Sequence, residues 1–162
     1  MSFPILTFLT FFPLVGVIYI LLRRGTDEVV ERSSKNISIL VSLVNFIVSL
    51  FLWSKFDTTN PGFQFVEESA WIKNFVSYKM GVDGVSIFLV LLTTFISPLC
   101  IFAAINSLKK RIKEFLIAIL IMQTFMIGVF CALDLFLFFL FFEGGLIPMF
   151  LIIGIWGGER RV

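Results

Sequence analysis

Five long stretches without a charged residue constrain this chain more than any other feature. A bilayer core of roughly 30 Å needs about 20 helical residues, and each stretch is close to that length. The first runs from Ser2 to Leu22 and stops at Arg23 and Arg24; the second holds the 19 residues Asn36 to Ser54, between Lys35 and Lys55. Asp83 and Lys109 bound a third of 25 residues, and Glu114 and Asp134 a fourth of 19. The fifth, 24 residues between Asp134 and Glu159, carries one charge in its middle, Glu143. The reading is an all-α, polytopic membrane protein: one membrane domain over 1–162, with helices at about 3–22, 36–54, 84–107, 114–132 and 134–156 and a long outer loop over 55–80.

Composition agrees. Of the 162 residues, 59% are hydrophobic and 15% charged, against about 45–50% and 25% in soluble domains. The mean hydropathy is +1.03. Disorder is excluded by the apolar count. A net charge of +2 is too weak and too dispersed to suggest a nucleic-acid partner, and the cluster from Lys109 to Lys113 reads first as a topology determinant. Cys100 and Cys131 lie inside apolar runs, so they form no disulfide framework and no zinc site. The absence of histidine removes the commonest metal ligand and acid–base group, and with it histidine-based triads.

The first stretch reads as a retained helix rather than a cleaved signal, because its start is neutral, its apolar run is long and arginines follow it. Orientation follows from Lys and Arg in alternate loops. Arg23, Arg24, Arg32, Lys35, Lys109, Lys110, Arg111, Lys113, Arg160 and Arg161 lie on one side; Lys55, Lys73 and Lys79 lie on the other. The N-terminus is therefore expected outside and the C-terminus inside. Trp53 and Trp156 fall near helix ends, where aromatic rings anchor at the interface. Within the long loop, Asn60–Pro61–Gly62 is a turn signal, followed by Phe63, Phe65 and Trp71 among charges, the pattern of a surface loop against membrane or partner.

An ionised carboxylate at the bilayer centre costs at least about 2.5–3.5 kcal/mol, so Glu143 must face protein or water. Apolar surroundings disfavour its ionised form and a basic neighbour restores it, so a carboxyl held between the two can load and release a proton. No basic residue in the other four apolar runs supplies that neighbour. Pro148 has no N–H for the carbonyl of Gly144, and Gly144 and Gly145 leave backbone open beside the acid. The expectation is a hydrated kink next to a proton-handling glutamate, set against a plain proline kink with glycines for close packing. Pro98 similarly frees the carbonyl of Thr94, which Thr93 or Thr94 can re-satisfy. Thr94, Gln123 and Thr124 are candidate members of a polar relay, with packing as the weightier reading. Gly154 and Gly158 form a small-xxx-small pair too near the membrane edge to specify a helix dimer. Gly81–Val82–Asp83–Gly84 lacks the preceding strand a phosphate loop requires, and Asp83 reads as a residue near a helix N-cap.

Two runs carry a family resemblance. Gly81–Val82–Asp83–Gly84–Val85–Ser86 continuing to Thr94, with Pro98 after it, resembles the third helix of the antiporter-like membrane subunits of respiratory complex I. Asp134 to Phe150, including Glu143, Gly144, Gly145 and Pro148 and followed by Gly154–Ile155–Trp156–Gly157, resembles their fifth helix. Phe63 to Glu67 and Trp71 also fit, and within that family the chain is most similar to the chain 4 or subunit M group. The resemblance implies a membrane-arm subunit of a proton-pumping NADH:quinone oxidoreductase, with Glu143 as the essential proton-handling glutamate paired with a lysine on a later helix. It implies no cofactor in this chain, with NADH, FMN, iron–sulfur clusters and quinone in other subunits. The implied partners are other membrane-arm subunits, the lipid bilayer and protons; the implied location is a bacterial plasma membrane or mitochondrial inner membrane. Family members have about fourteen helices, so these five are expected to be the N-terminal portion. Two alternatives stay open: a subunit of a multisubunit sodium/proton antiporter, and a scaffolding or inactive fragment.

Overall fold

In a computed structural model the described residues are 4–72, 76–108 and 111–157, with the side chains of 70–72 and 76 outside that description. Ser2, Lys73, Lys109, Lys110, Gly158, Glu159, Arg160, Arg161 and the side chain of Trp71, all used above, therefore lie outside the described residues. Five helices form: α1 (Ile5–Leu22), α2 (Asp27–Ser54), α3 (Ser86–Ser107), α4 (Ile112–Cys131) and α5 (Leu135–Trp156). All five are long and apolar enough to cross a membrane.

Two expectations need correction. Helix α2 starts at Asp27, not near residue 36. Charge does not end a helix that its own side chains can support. Asp27 and Glu28 complement the positive end in the first turn. Lys35 pairs with Glu31 at 2.5 Å, and the hydroxyls of Ser34 and Ser38 donate to the carbonyls of Val30 and Ser34. The long loop, second, holds an antiparallel hairpin, β1 (Gln64–Ile72) with β2 (Val76–Val82), so a strand does run into Gly81–Gly84, where none was expected. Its alternation is hidden because the register breaks between Gln64 and Glu67, where Phe65 takes φ 55° as an extra bulge residue.

Helices α1 to α4 form a bundle, and α5 lies outside it, against α4. Two apolar clusters fill the bundle. One, at the hairpin end, includes Leu6, Leu9, Leu52, Met80, Val82, Val90, Ile127 and Phe141. The other, at the far end, includes Val17, Ile20, Val41, Ile101, Leu116 and Leu120. The hairpin is tied down by Leu133, whose N–H donates to the Lys79 carbonyl at 2.9 Å, and by a bridge between Met80 and Ala132. Asp83 accepts from the N–H groups of Val85 (3.0 Å) and Ser86 (2.7 Å), while the Ser86 hydroxyl accepts from the Asp83 N–H at 2.8 Å. That reciprocal arrangement staples the entry of α3, as the expectation for Asp83 required. These hydrogen bonds to the charged form hold the Asp83 carboxyl below its ordinary range.

Candidate functional site

Asp134 starts α5 by accepting from the N–H groups of Phe136 at 2.9 Å and Leu137 at 3.1 Å. Placing the cap there puts Glu143 about 12 Å along a helix about 32 Å long, a little short of its middle. Helix α5 buries only Leu137, Phe141 and Pro148. Glu143 lies on the other side, exposed, among the exposed Phe139, Phe142, Leu146 and Ile147. Among the described residues it has no hydrogen-bond or ion-pair partner.

The glycines beside it do something specific. A Cβ on Gly144 would lie 2.4 Å from the Phe125 ring of α4, and a Cβ on Gly128 of α4 would lie 2.5 Å from the Phe141 ring of α5. Each helix therefore seats one phenylalanine in a gap left by the other's glycine. Gly145 has ordinary room, its added carbon 3.5 Å from Phe125. Pro148, buried in the same face, lines a 280 Å³ cleft with Gly144, Phe125 and Ile121, so the carbonyl that proline leaves unbonded belongs to a residue of the α4–α5 contact.

The three polar candidates separate. The Thr94 hydroxyl, buried, lies 2.7 Å from that of Ser49 on α2, inside the bundle. Gln123 is buried between α3 and α4, lining a cavity with Thr93 and Ser97. Thr124 donates to the Leu120 carbonyl at 3.3 Å and lines a different groove, 650 Å³ between α1, α4 and α5. Among the described residues none of the three hydrogen-bonds to Glu143.

Sequence reasoning missed Ser49, Asn45 and Thr10, all buried polar residues of the bundle, and Glu67, which caps α1. A signal existed for α2: Ser34, Ser38, Ser42, Asn45 and Ser49 recur at three- and four-residue spacing along one buried face.

The model of one protein family, described as "NADH-ubiquinone oxidoreductase chain 4, amino terminus", matches residues 26–129. The chain is 50% identical over 159 residues to the NADH-quinone oxidoreductase subunit M of Rhodobacter capsulatus, covering 98% of this chain and 31% of that protein. It is 40% identical over 165 residues to the subunit M of Rickettsia felis, with 100% and 34% covered. To the NADH-ubiquinone oxidoreductase chain 4 of Mycosarcoma maydis it is 43% identical over 154 residues, with 95% and 32% covered. The chain spans about a third of the length of the curated relatives it matches.

Proposed function

Since the chain belongs to the family of NADH-ubiquinone oxidoreductase chain 4, called NADH-quinone oxidoreductase subunit M in its bacterial relatives, we propose that it is a membrane-arm component of a proton-translocating complex I and that Glu143 carries its proton. One observation supports this above the others. A carboxylate near mid-span on the exposed face of an otherwise apolar helix is untenable against lipid, at a cost of at least about 2.5–3.5 kcal/mol. More polypeptide must cover it, with water or a basic group reaching it there.

In this reading the chain's own residues divide the work. Phe125, Phe141, Gly128 and Gly144 hold α5 rigidly on α4. Glu143, on the opposite side, then presents a fixed carboxyl to the covering helices. Protons reach and leave it as its ionised form is favoured or disfavoured by those neighbours. NADH, flavin, iron–sulfur and quinone chemistry belongs to other subunits, and the membrane is bacterial or the mitochondrial inner membrane. The excess of Lys and Arg on the side of Arg23, Arg24 and Arg111 supports an N-terminus on the outside.

Glu143→Gln keeps the side chain's shape and removes its titration. In membranes carrying the assembled complex, NADH-driven proton pumping falls by about an order of magnitude or more if the carboxyl carries the proton, a general acid–base contribution being typically 10²–10⁴-fold. Undiminished pumping with normal assembly refutes the proposal.

A further inference from the structure

Between the two apolar clusters of the bundle lies a polar layer. Each of the four helices crosses it. On α1, Thr10 separates Leu9 of one cluster from Val17 of the other; on α2, Asn45 separates Leu52 from Val41. On α3, Thr94 and Ser97 lie between Val90 and Ile101, and on α4, Gln123 lies between Ile127 and Leu120.

Two contacts fix the relative depth of these residues. A Cβ on Gly16 would lie 3.1 Å from Leu120 and 3.2 Å from Val41, so α1, α2 and α4 meet at that level. From there Thr10, Asn45 and Gln123 are six, four and three residues away along their helices, all toward the hairpin end. At 1.5 Å per residue they lie about 9, 6 and 4.5 Å from the meeting point, within about 5 Å of one another in depth. The Ser49–Thr94 hydroxyl contact of 2.7 Å aligns α2 with α3 in the same way, and brings Ser97 to about the level of Asn45.

These groups are short of partners. The Thr10 hydroxyl and both polar atoms of the Asn45 and Gln123 amides are buried and make no hydrogen bond. Two prolines add acceptors. Pro13 in α1 and Pro98 in α3 have no N–H for the carbonyls of Leu9 and Thr94, residues at or beside this layer on their helices. Buried polar groups of this kind are satisfied by ordered water, each molecule making about three hydrogen bonds. Beside the layer, between α3 and α4, Gln123, Ser97 and Thr93 line a cleft of 220 Å³, from which water reaches the layer by a small side-chain movement, each molecule needing only about 10–15 Å³.

We propose that this layer is an internal water site, in which about two ordered waters bridge Thr10, Asn45 and Gln123 to the carbonyls of Leu9 and Thr94. The site joins all four bundle helices at one depth and needs no proton transfer at Glu143. It explains why amides occupy a position where leucine would fill the gap between two apolar clusters.

The test is water-to-protein magnetisation transfer in solid-state NMR of the ¹⁵N-labelled 162-residue chain in lipid bilayers. The Asn45 and Gln123 side-chain amide signals are assigned by their loss in Asn45→Leu and Gln123→Leu. Both should gain water magnetisation at a rate of the order seen for the amide of Asn60, which is exposed, while the backbone amides of Leu120 and Ile127 gain none. In Asn45→Leu the transfer to Gln123 should fall to the level of the dry core, since the waters are shared. Transfer to Asn45 and Gln123 as slow as to Leu120 overturns the site in the unmodified chain, whatever the variants do. Undiminished transfer to Gln123 in Asn45→Leu overturns the sharing.

Discussion

Thr7, in the first turn of α1, gives both its backbone N–H, at 2.9 Å, and its hydroxyl to one carboxylate oxygen of Glu67, 60 positions along the chain. The other carboxylate oxygen accepts from the Leu6 N–H at 2.6 Å. With the Thr7 hydroxyl proton committed to Glu67, Tyr78 donates to the Thr7 oxygen at 2.8 Å. Burial raises the Tyr78 hydroxyl above its ordinary value, which keeps that donor protonated. The hairpin therefore supplies the N-cap that Pro4, preceding α1, cannot.

Removing that carboxylate should loosen α1 at its start. Charge-assisted hydrogen bonds contribute about 1.5–3 kcal/mol, so Glu67→Ala should destabilise by about 2 kcal/mol. Amide exchange at Leu6 and Thr7 should quicken by more than about tenfold, at 1.4 kcal/mol per decade. Unchanged exchange at both amides would show that α1 does not depend on the hairpin.

Adding one carbon at the α4–α5 contact should separate the two seats from their neighbour. Gly144→Ala and Gly128→Ala each force a carbon to within about 3 Å of a phenylalanine ring, an overpacking cost of about 1–3 kcal/mol. Gly145→Ala meets only ordinary contact, and should stabilise α5 by roughly 0.5–1 kcal/mol through the lost backbone freedom of glycine. Thermal unfolding in detergent distinguishes them; equal effects at 144 and 145 would contradict the packing. Phe125→Leu should partly rescue Gly144→Ala.

The cap of α3 carries a pH signature. Because the Asp83 carboxyl is held below its ordinary value, it contributes stability that is fully present above about pH 4. That contribution fades as pH falls below about 4, through the folded value. Asp83→Asn still accepts hydrogen bonds as a cap but does not titrate there. Exchange at Val85 and Ser86, followed from pH 6 to pH 2, should rise relative to Asp83→Asn only at the acid end.

Orientation has its own check. With Cys100 replaced by serine, Asn60→Cys should react with a membrane-impermeant maleimide added from outside, and Gly25→Cys should not. The reverse pattern would invert the proposed topology.

How far the fold was legible depended on whether the signal was local. Helix ends near Leu22, Ser54, Ser107 and Trp156 emerged from charge positions alone, because a charge and a lipid tail repel wherever the rest of the chain goes. The start of α2 did not, since Glu31, Lys35, Ser34 and Ser38 satisfy one another along the helix. The hairpin stayed hidden behind its bulge at Phe65, which breaks the two-residue period that betrays a strand. At the candidate site, Glu143 was conspicuous by type and depth. Where Thr94, Gln123 and Thr124 sit was not legible, because Thr94 meets Ser49 of α2, Gln123 lies between α3 and α4, and Thr124 lines a groove between α1, α4 and α5.

By itself, then, the sequence determined five membrane-length helices and one carboxylate that lipid cannot solvate. Both follow from transfer energies that each residue carries wherever it goes. Which way that carboxylate points, which glycine receives which ring, and that Thr10, Asn45 and Gln123 share a depth came from the packing of the helices. These depend on how helices distant in sequence are rotated and slid against one another, and rotation and offset are set by packing between surfaces, not by any residue's own preference.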